Sequence, residues 1–223
     1  VLVINTDQQD HSGGQAFRAL ECNGKPCYGL LMFDLSTMPP LSRRAFLTTA
    51  TVLMAGMVPH AQALDLRSTP FEVTGHLARL DPYLLYAVSY VESRLDRRGR
   101  TGPWPYAVRT PRESYYPPDF NSAMQLLASL PSEEVADADL GWMQVNVRWH
   151  GNRVPDISHL LHPDINMRVG AGILREAINS LPRDLELAVG RYHTWLDEPR
   201  ARNYGRRVLD LRARLRAETT SIQ

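Results

Sequence analysis

Between Ser42 and Ala63 the chain carries a stretch that is built to be removed rather than folded. Arg43-Arg44 precede it, and from Phe46 to Val58 every residue is apolar, small or hydroxylated. The run closes on Pro59-His60 and then Ala61-Gln62-Ala63, an A-x-A cleavage pattern. A basic start, a short apolar run and small residues before the cut are the three parts of a secretory signal peptide. The run is too short to cross a bilayer, which takes about 20 residues. A buried core helix is the alternative, but nothing in the stretch alternates with a polar face.

The arginine pair followed by Ala45-Phe46-Leu47 also resembles the twin-arginine export signal, which a receptor reads. Thr48 stands where that signal usually has lysine, so the general secretory route stays open. Met38 sits directly before the signal, and residues 1–37 show no clear helical or strand period. The expected organisation is therefore a doubtful extension over 1–37, a signal peptide over 38–63 cleaved after Ala63, and one domain over 64–223. A periplasmic or cell-envelope location follows from it. Both cysteines, Cys22 and Cys27, fall in the extension, so the exported domain is expected to have neither disulfide nor thiol chemistry.

Charge narrows the function classes. The 25 basic and 24 acidic side chains nearly cancel, which argues against nucleic-acid binding by bulk charge. Lys25 is the only lysine, so the positive charge is almost all arginine.

Within 64–223, strand signals are nearly absent and helix starts are well marked. Asp81-Pro82 is an N-cap followed by proline at the first helical position. After it Leu84, Leu85, Val88 and Val91 form one apolar face down to Arg94. Pro103-Trp104-Pro105, Pro111 and Pro117-Pro118 predict a long loop. Asp119 or Asn121 caps a short helix through Leu130, and Gly141 to Val147 reads as a single buried turn or short helix. Pro163-Asp164 opens the next helix, with Ile165, Val169, Ile173 and Ala177 as its stripe to Leu181. Gly170 and Gly172 inside it cost about 1 kcal/mol each by propensity, so close helix packing is expected there. Asp184 caps a helix carrying Leu185, Leu187, Ala188 and Tyr192, and an arginine-rich helix runs from about Glu198 to Ala217. The sum is a mostly α, single compact domain of six or seven helices with a proline-rich insert. No transmembrane segment is expected in the exported chain.

Several chemistries drop out. There is no G-x-S-x-G, H-E-x-x-H or Walker loop, and His76, His150, His159, His162 and His193 never fall at i,i+4 on one helix. Neither a metal site nor a cofactor is expected. What remains is Glu92, at the end of the apolar helix and one residue past a core position. A helical Glu is ordinarily a solvated charge. A carboxyl at the edge of an apolar face has its charged form disfavoured, however, and can stay protonated near neutrality as a general acid.

The order Leu84-Leu85-Tyr86-Ala87-Val88-Ser89-Tyr90-Val91-Glu92-Ser93, then Gly141-Trp142-Met143-Gln144-Val145-Asn146, resembles the soluble lytic transglycosylase domain. His162-Pro163-Asp164-Ile165-Asn166-Met167-Arg168-Val169-Gly170-Ala171-Gly172 looks like that family's next helix. Ala188-Val189-Gly190-Arg191-Tyr192-His193-Thr194 occupies the place of its Ala-Tyr-Asn-Ala-Gly motif, and Asn203-Tyr204-Gly205-Arg206-Arg207-Val208 that of its closing helix. The resemblance covers about residues 71–210. It implies an α+β lysozyme-like fold and cleavage of the β-1,4 bond between N-acetylmuramic acid and N-acetylglucosamine in peptidoglycan glycan strands, without water.

By that resemblance Glu92 is the catalytic acid and base, and Ser93, Met143, Gln144, Asn146, Tyr192 and His193 are substrate-binding residues. Met143 is as readily a core filler. Trp142 either stacks on a sugar or fills volume, and Tyr204 reads as structural. Two departures stand out. The interval from Glu92 to Gly141 is long, with Val135-Ala136-Asp137-Ala138-Asp139-Leu140 before the turn, and Tyr192-His193-Thr194 replaces Tyr-Asn-Ala. Trp104-Pro105-Tyr106 together with the Tyr-His pair looks like a subset encoded with conjugation and type IV secretion machinery. That implies an envelope complex as partner, and no nucleic acid. For the insert, Trp104, Tyr106, Tyr115 and Tyr116 suit the wall of a glycan groove.

Two rivals stay open. A hydrolytic muramidase would need a second carboxylate, for which Asp137 and Asp139 are candidates. A non-catalytic peptidoglycan-binding or assembly protein would have no reason to keep Glu92 and Gln144.

Overall fold

The computed structural model describes residues 21–22, 25–26, 64–97 and 99–220. The signal peptide expected over 38–63, its cut after Ala63 and most of the extension over 1–37 lie outside them. The chain divides into two units, 1–60 and 61–223. In the first, β1 (Glu21–Cys22) and β2 (Lys25–Pro26) pair antiparallel, with Cys22 opposite Lys25.

The second unit is mostly helical and carries a small antiparallel sheet. Its first helix, α1 (Pro70–Ala78), is absent from the sequence reading, although its start chemistry is written there. Thr69 accepts from the Glu72 N–H, Pro70 fills the first helical position, and the Glu72 carboxylate reaches back to the Ser68 N–H at 2.7 Å. Helix α2 (Pro82–Ser93) begins as expected, with the Asp81 carboxylate accepting from Tyr83 N–H. Leu84, Leu85, Ala87 and Val88 are buried and Val91 is half-buried. Asp81 also pairs with Arg212 and Arg216, tying the start of α2 to the last helix.

The proline-rich interval is not a plain loop. It forms β3 (Arg94–Arg97), β4 (Arg100–Pro103), β5 (Val108–Arg109) and β6 (Ser114–Tyr115). Then come α3 (Phe120–Ser129), capped by Asp119, and α4 (Ser132–Ala136). β7 (Asp139–Leu140) and β8 (Val145–Asn146) follow, and the second sheet has the order β6-β5-β7-β8. Strands of two to four residues carry too little alternation to be read as strands, and β5 finds its partner β7 about 30 residues away.

The register of this sheet decides what the site receives. Val108 pairs with Leu140 and Leu140 with Val145, and all three side chains are buried. One residue along, Arg109 pairs with Asp139 and Asp139 with Asn146, so these three point together to the opposite face.

The β7–β8 connection, Gly141–Gln144, is the buried turn. Gly141 has φ +74° and Gln144 φ +46°. Asn166, fully buried on α6 (Pro163–Ser180), locks this turn with three hydrogen bonds. Its amide donates to Leu140 O at 2.7 Å and Leu160 O at 2.9 Å, while its Oδ1 accepts from Met143 N–H at 2.8 Å. The buried stripe of α6 is consequently Asn166, Met167, Gly170, Ala171, Ile173, Leu174 and Ala177, with Ile165 and Val169 only half-buried. Close packing does explain Gly170, where a Cβ would sit 2.5 Å from Met143 Cβ, but against the turn rather than another helix. Gly172 faces open space and is not explained that way. We expect Asn166→Ala to cost about 1–3 kcal/mol, because it orphans the buried Met143 N–H and two carbonyls, measured by urea denaturation.

Four helices complete the unit around the 3₁₀ turns Gly151–Arg153 and Ile157–Leu161: α5 (Val147–His150), α6, α7 (Leu185–Gly190) and α8 (Glu198–Thr220). Eight α-helices therefore stand among the described residues of this unit, against six or seven expected. Asp184 caps α7, and Tyr192 falls in the turn beyond it. Helices α7 and α8 meet through reciprocal glycines. A Cβ at Gly190 would strike the Ala201 carbonyl, and one at Gly205 the Glu186 carbonyl. Backbone cannot yield as a flexible side chain can, so Gly190→Ala and Gly205→Ala should each destabilise by about 1–3 kcal/mol, read as a lowered thermal midpoint. No helix among the described residues is long and apolar enough to cross a membrane.

Candidate active site

Glu92 lies in the last turn of α2, where that helix meets the β3–β4 hairpin and α8. It lines a cleft of about 660 Å³. The polar row Arg109, Asp139 and Asn146 makes one wall, and the turn after α7, from Tyr192 to Leu196, makes another. Gln144, Val145, Ile173, Trp149 and His150 complete it.

The surroundings explain the state of the carboxyl. Desolvation pushes the pKa of Glu92 up to about 7, from 4.5. Tyr204, Arg109 and Arg207 pull it down, while the Asp139 carboxyl pushes it up. The Tyr204 hydroxyl is buried without a hydrogen-bond partner, yet near enough to Glu92 for each to shift the other's pKa. Arg109 donates to the Glu92 backbone carbonyl at 2.8 Å and stands 4.0 Å from the Asp139 carboxylate. It thereby satisfies a carbonyl at the C-terminus of α2, where a cation is favoured. Asp139 is raised by desolvation, against Asn146 and Arg109.

The residues named from sequence separate into two groups. Gln144, Asn146, Tyr192 and His193 line the cleft with Glu92. Gln144 is held in its left-handed conformation by Nε2 donating to Gly141 O at 2.9 Å and Ala107 O at 3.2 Å. Asn146 also caps α5, accepting from Trp149 N–H, and donates to Asp139 at 2.9 Å. Tyr192 donates to Met143 O at 2.6 Å. His193 stacks flat on Tyr204 at 4.9 Å and accepts from Arg200 Nε at 3.1 Å. Desolvation, with Arg200 next, lowers its pKa.

Ser93 and Met143 do not reach the cleft. The Ser93 hydroxyl lies 2.9 Å from Ser89 O and 2.8 Å from Trp142 O and is 1% exposed, so it clamps α2 to the turn. Met143 is fully buried, with its sulfur accepting from Ser89 Oγ, and fills the core above Gly170. Trp142 packs on Phe71 at 5.2 Å, which makes it volume rather than a sugar platform. Trp104, Tyr106, Tyr115 and Tyr116 also stay out of the cleft; Trp104 donates to Pro117 O and packs edge-on against Tyr106. The insert contributes Arg109 and Asp139 instead. Asp137 is engaged by Arg148 on the surface.

This chain matches no protein-family description, no curated protein and no solved structure.

Sequence reasoning missed Arg109, Trp149 and Trp195 and took Tyr204 as structural. The two tryptophans are 73% and 58% exposed at the cleft, and Trp195 is backed by the Arg191 guanidinium at 4.9 Å. Exposed indoles on a cleft rim are suited to stacking on the apolar face of a sugar ring. No local pattern marks them, because their exposure depends on which neighbours fold over them. Among the described residues no group of three or more His, Cys, Asp or Glu side chains is placed to hold a metal ion.

Proposed function

We propose that the chain is an exported peptidoglycan lytic transglycosylase with a lysozyme-like fold. The observation that carries this reading is Glu92, a carboxyl raised to about 7 by desolvation and lining a glycan-sized cleft rimmed by exposed tryptophans. Glycosidic cleavage needs an acid at the leaving oxygen, and a carboxyl with this pKa is still protonated in a large fraction of molecules near neutrality.

In the proposed reaction the protonated Glu92 gives its proton to the glycosidic oxygen as the C1–O bond breaks. The N-acetyl group of the muramic residue stabilises the developing cation. The Glu92 carboxylate then removes the proton from the C6 hydroxyl, whose oxygen closes on C1 to give a 1,6-anhydro ring. Glu92 ends protonated, as it began. One carboxylate suffices because the sugar supplies its own nucleophile. Gln144 and Tyr192 orient the sugar, and the Tyr204 hydroxyl is a neutral donor that steadies Glu92 while it is ionised. Cuts of this kind in the wall would admit an envelope complex of the conjugation or type IV secretion type, the setting that the insert and Tyr-His pair imply.

Asp139 favours a second reading, a hydrolytic muramidase. It is a carboxyl in the same cleft, close enough to Glu92 to raise its pKa, and a base for water is what hydrolysis would require. Asp139→Asn discriminates between the two. Under transglycosylation it leaves cleavage within about tenfold of wild type and the products anhydro-terminated. Under hydrolysis it removes turnover. The assay is release of soluble fragments from purified peptidoglycan.

A further inference from the structure

A second cleft, of about 380 Å³, opens on the other side of Glu92. It shares Glu92, Arg109 and His193 with the first, but its remaining polar lining comes from α8: Arg200, Asn203, Tyr204 and Arg207. These stand at i, i+3, i+4 and i+7, one continuous face of the helix. The arginines on the other faces of α8 have carboxylate partners: Arg202 with Asp184 and Glu198, Arg206 with Glu186, Arg212 with Asp81. Arg200 and Arg207 form no ion pair among the described residues. Glu92 is the only acidic residue lining the cleft. The Tyr204 hydroxyl, on a residue 4% exposed, lines it too and has no hydrogen-bond partner.

Arg207 without an ion pair, Arg200 bonded to the His193 ring, a neutral amide and the Tyr204 hydroxyl make a concave set of donors against which only one carboxyl, Glu92, is placed. A planar anion with two oxygens suits that set, because guanidinium groups grip carboxylates bidentately. An ordinary solvated arginine face is convex and leaves no buried donor unmatched. The first cleft, by contrast, is lined by Trp149, Trp195 and Ile173 alongside its polar row and suits the sugar rings.

We propose that this second cleft is a carboxylate-binding site, and that the carboxylate is carried by the substrate itself, on the peptide stem attached to the muramic residue beside the scissile bond. This assignment of the carboxylate's source rests on the transglycosylase reading; the anion site does not. The two clefts then fix the direction of the strand across Glu92, with the acidic stem on the α8 side.

The test has two arms, both with the full chain and with Arg200→Gln and Arg207→Gln, which change exposed residues and are checked for fold by circular dichroism. In the first, L-alanyl-D-glutamate, an acidic dipeptide with two carboxylates, is titrated in a calorimeter. Wild type binds it, and each variant weakens binding about tenfold, as expected for loss of one charge-assisted bond. In the second, kcat/KM is compared on glycan whose stems carry free carboxylates and on the same stem-bearing glycan with those carboxylates converted to amides. Wild type prefers the acidic stem, and each variant lowers that preference about tenfold through KM.

Dipeptide binding that depends on Arg200 and Arg207, without cleavage of either glycan, supports the anion site and removes the transglycosylase reading. Equal cleavage of both glycans, with no dipeptide binding, overturns the site and leaves that reading standing. Inorganic phosphate binding as tightly as the dipeptide, with no stem preference, overturns the substrate as the source and makes the cleft a site for a free anion.

Discussion

Glu92→Gln is expected to lower glycan cleavage by about 10²–10⁴-fold, the range typical of removing a general acid or base. The amide keeps the shape of the carboxyl, and the surrounding packing, with Ser93 clamped to Trp142 O and Arg109 bonded to the Glu92 backbone carbonyl, does not depend on the side-chain charge. It can neither protonate the leaving oxygen nor take the proton of the C6 hydroxyl, so both halves of the proposed reaction fail together. Initial rates of fragment release from peptidoglycan, beside circular dichroism of both proteins, check the expectation. A rate within tenfold of wild type from a folded variant would remove Glu92 from the mechanism.

The second large effect is in pH. The folded pKa of Glu92 is about 7 and the ordinary value is 4.5, so the folded state holds its proton longer than the unfolded state does. Below pH 4.5 both states are protonated and Glu92 contributes no difference. Between 4.5 and about 7 the unfolded chain ionises first, and stability falls as pH rises. Above about 7 the loss is complete, and amounts to at most about 3 kcal/mol. Glu92→Gln removes this slope. The variant should therefore be more stable than wild type at pH 8, with the gap closing toward pH 4.5, in urea denaturation at several pH values. Activity follows the same proton. kcat/KM should fall about tenfold per pH unit above about 7, as the acid form disappears. Equal stability of the two proteins across pH 5–8 would contradict the desolvated carboxyl on which the mechanism stands.

The parts of the fold that the sequence announces are those governed by local chemistry. Asp81 and Asp184 each cap the helix they were expected to cap, and of the two candidates Asp119 and Asn121 it is Asp119 that caps α3, because an N-cap needs only its own side chain and the next turn. Thr69-Pro70-Phe71-Glu72 shows that the same signal can be present and pass unread ahead of α1. Non-local contacts are a different matter. That Val108 lies beside Leu140, or that Arg109 lies beside Asp139, follows from pairing across the whole insert, and two-residue strands leave no period to reveal it. The stripe of α6 holds at Ile173 and Ala177, but its first half departs from the spacing for a similar reason, with Ile165 and Val169 only half-buried. Asn166 and Gly170 face inward because the turn over Gly141–Gln144 needs a polar lock and a residue without a side chain, neither of which hydrophobic spacing records.

The candidate site divides along the same line. Glu92 stands out because it follows an apolar face, and Gln144, Asn146, Tyr192 and His193 through resemblance to one family's motif order. Ser93 and Met143 belong to the same motifs but serve to hold the turn against α2. Arg109, Tyr204, Trp149 and Trp195 become visible only when α8, the sheet and the turn after α7 converge on Glu92.

Mass spectrometry of the fragments that the full chain releases from peptidoglycan, beside those of Glu92→Gln, bears most directly on the proposed reaction. Transglycosylation predicts fragments ending in 1,6-anhydro-muramic acid, lighter by one water than fragments with a reducing end, and at least about a hundredfold fewer from the variant. Reducing-end fragments from wild type would contradict it and turn the mechanism toward water activated by Asp139.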